Sequence, residues 1–77
     1  MRTTEYFERK LVDRGIRREW CEWVVENHVA IEVQEDHRIR YWAYVAEAAH
    51  YIRVVMESDG TFLNAFFDRG FGRRRER

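Results

Sequence analysis

The chain has 77 residues, 45% hydrophobic and 16% aromatic, with 14 basic and 14 acidic side chains and a formal net charge of zero. That length fits a single domain, which buries roughly 60% of its unfolded surface. No apolar run nears the ~20 residues of a membrane span, no basic-then-apolar leader opens the chain, and one cysteine, Cys21, can form neither an intramolecular disulfide nor a thiolate metal cluster.

The chain therefore reads as a cytoplasmic domain over residues 1–72, followed by a basic disordered tail at 73–77. Thr3 and Thr4 before Glu5 predict a capped helix start. Phe7, Leu11 and Val12 predict its apolar face, and Gly15 its left-handed close. A second helical stripe continues through Ile16, Trp20, Trp23, Val24 and Val25, with Glu19, Glu22 and Glu26 opposite, and stops at Asn27-His28.

Beyond residue 28 the period changes from helical to alternating. Val29, Ile31 and Val33 predict a first strand, and Glu35-Asp36-His37 a turn. Ile39, Tyr41, Ala43 and Val45 alternate with Arg38, Arg40, Trp42 and Tyr44. A short connection at 46–49 leads to Ile52, Val54 and Met56, then to the hairpin turn Ser58-Asp59-Gly60. Leu63, Ala65 and Phe67 close the pattern. The fold class is α+β: two N-terminal helices on one face of a four-stranded antiparallel meander. Phe7, Leu11, Trp20, Val24, Ile39, Val54, Ala65 and Phe67 are expected to share the core.

Strand parity gathers Arg38, Arg40, Trp42, Tyr44, Tyr51, Arg53, Asn64, Phe66 and Asp68 on the other face, expected to meet water or a ligand. Arginine suits bidentate phosphate contacts, and aromatic rings stack on unpaired bases, so this face predicts a single-stranded RNA platform. Asp68 is the one acid expected on it, which predicts a net positive field. Residues 1–36 carry six basic and nine acidic side chains, net −3, whereas 37–77 carry eight and five, net +3. No metal site or cofactor is expected: His28, His37 and His50 lack ligand spacing, and Gly70-Phe71-Gly72 lacks a P-loop lysine. Ser58, the single serine, sits in a turn and predicts no hydrolase triad.

Several segments resemble small proteins of the RelE/ParE-like toxin superfamily, of the Barnase–EndoU–Colicin–RelE fold, within a group of domains of unknown function. They are Phe7–Ile16 with its Arg-Gly-Ile ending, Trp20–Asn27, Ile52-Arg53-Val54-Val55 and Ala65-Phe66-Phe67-Asp68-Arg69. The likeness covers about residues 4–72. Arg17 at the second helix cap, Asn64 in place of a threonine, and His28-Val29 in place of Asn-Pro depart from the pattern.

The resemblance implies a toxin held by an antitoxin partner and one of two chemistries. A RelE-like member cuts RNA without metal: the 2′-oxygen attacks the adjacent phosphate, the bond to the next nucleotide's 5′-oxygen breaks as that oxygen takes a proton from an acid, and a 2′,3′-cyclic phosphate is left. Arg40 and Arg53 would clamp that phosphate, Tyr44 would stack on a base or donate a proton, and Asp68 or His37 would act as base. Arg38, Trp42, Asn64, Phe66, Arg69, Arg73 and Arg74 would bind the RNA. A ParE-like member binds DNA gyrase and needs no catalytic group, and an inert relative only binds a partner.

Overall fold

The computed structural model describes residues 1–75. Helix α1 runs Glu5–Arg14 and α2 Arg18–Glu26. Strands β1 (Ala30–Val33), β2 (Ile39–Val45), β3 (His50–Met56) and β4 (Phe62–Phe67) follow, and then a third helix, α3 (Arg69–Arg75). The strands pair in chain order, every neighbour antiparallel, as the alternating pattern predicts.

Local chemistry explains the boundaries. The Thr4 hydroxyl accepts the Phe7 amide at 3.0 Å, satisfying a donor that the first helical turn leaves over. Gly15 closes α1 at φ 65°, a conformation that costs a residue with a Cβ. Arg17 opens α2 without any side-chain cap. The β3–β4 hairpin turns at Gly60, φ 92°.

The core joins Phe7 and Leu11 of α1, Ile16, and Cys21 and Val24 of α2 to Ala43, Val45, Ile52, Val54, Met56, Phe62 and Ala65 of the sheet. Helix α1 packs against β4, and α2 against β2 and β3. Phe7 meets Phe62 with ring centroids 5.6 Å apart. Burial pushes the Cys21 thiol pKa up to about 12, aided by Glu22, so it packs as a small inert hydrophobe. Trp20 and Phe67 are half-buried against this core.

Four expectations need correction. The alternating pattern puts Leu63 on the same side as Ala65 and Phe67, toward the core, but the β3–β4 register shifts between Val55 and Met56, so that Val55 faces Asn64 while Met56 faces Phe62. This bulge leaves Leu63 over and reverses parity beyond it, burying Phe62 instead. Val12 is 82% exposed, because Phe7 and Leu11, four residues apart, already define the face that α1 buries. Ile39 is only half-buried, next to exposed Ile31 and Val33 on β1.

The fourth correction concerns the basic tail. Residues 73–75 belong to α3; residues 76 and 77 lie outside the described part. Asp68 nucleates this helix by accepting the Phe71 amide at 2.9 Å. Phe71 then stacks on Trp42, centroids 5.1 Å apart with planes 11° from parallel, and meets Tyr51 edge-on. A Cβ at Gly72 would come within 3.2 Å of the Tyr51 ring, so this glycine permits the close approach.

Candidate nucleic-acid interface

Helix α3 divides the outer face of the sheet into two ends. Beneath α3, Trp42 is 6% exposed and donates its indole N–H to Asp68 Oδ2 at 2.9 Å. Beyond it lies an open cleft of about 540 Å³, lined by Arg38, Arg40 and Arg53 together with Asn64, Phe66 and Tyr6. The sheet register builds this cleft: Arg40 faces Val55, which faces Asn64, and Arg53 faces Phe66.

Arg53 is the inner wall. Its guanidinium lies 4.0 Å from the centroid of the Phe66 ring, a cation–π contact, and its Nε is 3.7 Å from Asp68 Oδ2. That Nε is buried and, among the described residues, has no hydrogen-bond partner, so its desolvation is offset only by the charge of Asp68. Burial pulls the Arg53 pKa below its ordinary value, the Asp68 charge opposes this, and Arg40 and Arg74 add to it. Arginine nonetheless stays protonated.

Arg14, at the end of α1, holds two residues of the cleft, Asn64 and Phe66, without lining it. It donates to Asn64 Oδ1 and to the Ala65 carbonyl, both at 2.8 Å, and its guanidinium lies 5.5 Å from the Phe66 centroid. Basic residues in a last helical turn suggest a dipole contact, so nothing in the local pattern pointed across 50 residues. Tyr6 and Gln34 line the cleft unforeseen.

The expectation of a lone acid on this face is wrong. Arg40 pairs with Glu32 at 3.2 Å, and Arg38 with Glu57 at 3.6 Å and Asp36 at 3.8 Å. Parity within single strands hid these partners, since Glu32 comes from β1, and Glu57 and Asp36 come from strand ends. The pairs are solvent-exposed, and such pairs contribute ~0–1 kcal/mol.

The proposed catalytic set is split. Arg40 and Arg53 line the cleft. Tyr44 lies elsewhere, 46% exposed and edge-on to Tyr51 at 5.3 Å. Asp68 has both oxygens engaged, one by Trp42 and one by Phe71. Burial would raise its pKa, but those hydrogen bonds and the Arg53 and Arg74 charges hold it below the usual carboxylate value. His37 sits exposed in a turn at φ 69°. Arg69, Arg73 and Arg74 are exposed on α3, and Arg69 and Arg73 line a smaller hollow of about 220 Å³ with Tyr44 and Asp68.

Among the described residues, no group of three or more His, Cys, Asp or Glu side chains is placed to hold a metal, and no helix is long and apolar enough to cross a membrane. Comparison with known proteins finds no matching family model, no similar curated relative and no similar solved structure.

Proposed function

We propose that this chain is a toxin-type protein that binds single-stranded RNA in the Arg38–Arg40–Arg53 cleft, with metal-independent scission of the RNA as the chemistry that clamp would serve. The observation that carries the reading is the juxtaposition of two guanidinium groups, Arg40 and Arg53, with the Phe66 ring and the Tyr6 side chain in one open concavity. Guanidinium groups bind a phosphodiester, and an exposed ring beside them takes the attached base. Tyr6 is 46% exposed and serves that role better than Trp42, which lies under Phe71. In scission the same cations would stabilise the charge that develops on the attacked phosphate.

The engaged oxygens of Asp68 favour a second reading, in which the protein binds RNA or a partner without cutting. Gyrase and an antitoxin are the partners that the toxin resemblance suggests for it.

Fluorescence anisotropy with a labelled single-stranded RNA, at fixed salt, tests the proposal. Arg40→Ala and Arg53→Ala should each weaken binding about tenfold or more, from the ~1.5–3 kcal/mol of a charged hydrogen bond, and should reduce the salt slope by roughly one phosphate contact. Unchanged affinity in folded variants would overturn RNA binding at this cleft. Analysis of RNA ends then separates the two readings: 2′,3′-cyclic phosphate ends that disappear in Arg53→Ala support scission, and intact RNA supports binding alone.

A further inference from the structure

A third concavity, of about 420 Å³, shares no lining residue with the arginine cleft and has the opposite character. Its walls carry three aromatic residues, Trp20 and Trp23 from α2 and Tyr44 from β2, and its rim carries Glu19 and Glu47. Helical spacing puts Glu19, Trp20 and Trp23 side by side, since residues three and four apart share a face. Trp23 and Tyr44 are each 46% exposed, a large apolar area to leave in water without a partner.

The two glutamates already hold a guanidinium. Arg17 places Nε 2.8 Å from Glu19 Oε1 and Nη1 2.9 Å from Glu47 Oε1, bridging α2 to the β2–β3 turn. Their spacing therefore suits a planar fork of donors. The pairs that hold Arg17 are exposed, and such pairs are weak and exchangeable. The outer side of α2 adds Glu22 and Glu26, both exposed, so the surroundings attract positive charge.

We propose that this pocket binds an arginine side chain of a partner polypeptide, its guanidinium between Glu19 and Glu47 and its flat face on Trp23 and Tyr44. Aromatic faces attract cations, and a guanidinium both stacks on a ring and forks onto carboxylates, which an ammonium does less well. The partner's arginine displaces Arg17 from the same carboxylates. The ligand here is a cation, whereas the ligand proposed for the arginine cleft is an anion, and the two concavities share no lining residue.

The test is a titration of the full chain with acetyl-Gly-Arg-Gly-amide, followed by tryptophan fluorescence and by amide NMR shifts. Saturable changes centred on Trp20, Trp23, Tyr44 and Glu47 are expected. Trp23→Ala should weaken binding about fivefold, Glu47→Gln should weaken it as well, and Arg17→Ala should tighten it by removing the internal competitor. Because Trp23 is half-exposed, its removal leaves the core intact, and circular dichroism checks that. Absence of saturation, equal affinity in Trp23→Ala, or weaker binding in Arg17→Ala would overturn the proposal. So would choline binding as tightly as the peptide, which would make the pocket a small-cation site instead.

Discussion

The two ends of the outer sheet face contain the same kinds of residue and behave differently. At one end Trp42, Tyr51 and Phe71 form a small second core, closed by α3 and fastened through Asp68. At the other end Arg38, Arg40, Phe66 and Asn64 stay accessible in the cleft. The difference is one apolar side chain. Phe71 supplies a surface against which Trp42 is removed from water, and nothing comparable among the described residues covers Phe66, which instead lies beneath the guanidinium groups of Arg14 and Arg53. An aromatic residue on a sheet face is thus sealed into a core or left at the surface according to what the chain lays over it.

That contrast can be broken experimentally. Substitutions at the closed end should cost stability, and those at the open end should cost binding. The largest effect is expected from Phe71→Ala, about 3 kcal/mol at the low end of buried phenylalanine truncations, read as a lower urea midpoint together with a red-shifted Trp42 emission as α3 detaches. A stable Phe71→Ala protein with unshifted emission would show that α3 does not seal this end.

Trp42→Phe keeps the stack and removes the indole donor to Asp68, so a loss of about 1–2 kcal/mol is expected. The proof is in the pH dependence. The folded pKa of Asp68 is lowered, so its contribution is fully present above the ordinary aspartate value of about 4 and fades as pH falls through the folded pKa. Wild type and Asp68→Asn should therefore differ most near neutral pH and converge in acid. A gap that stays constant down to pH 2 would remove Asp68 as the fastening.

At the open end, Arg40→Ala should change stability by no more than ~1 kcal/mol, because its pair with Glu32 is exposed, while RNA affinity falls. The smallest effect belongs to Glu32→Gln. It frees Arg40 without altering the fold, and RNA binding should tighten slightly, with a melting temperature within about 2 °C of wild type. Weaker binding in Glu32→Gln would mean that the carboxylate itself contacts the ligand.

Much of the architecture was legible in the residues alone. The periodicity change after residue 28, the Thr4 cap, the Gly15 close and the Gly60 turn are local signals, and each acts through backbone groups a few residues away. The meander followed because short connections leave neighbouring strands few options. Arg40, Arg53, Asn64 and Phe66 were grouped correctly, since parity holds along a regular strand.

What tertiary structure alone decided lies where parity or local pattern ceases to apply. The bulge beside Val55 puts Phe62 rather than Leu63 in the core, where it meets Phe7 of α1, a contact that no pattern within β4 specifies. The segment after Asp68 reads as a breaker because of Gly70 and Gly72, yet it is helical, because docking Phe71 on Trp42 outweighs the poor helix propensity of glycine. The carboxylates facing Arg38 and Arg40, and the arrival of Arg14 at Asn64, depend on elements distant in sequence meeting in space. Which charges are paired, and which aromatic rings remain exposed, are properties of those meetings and not of any single segment.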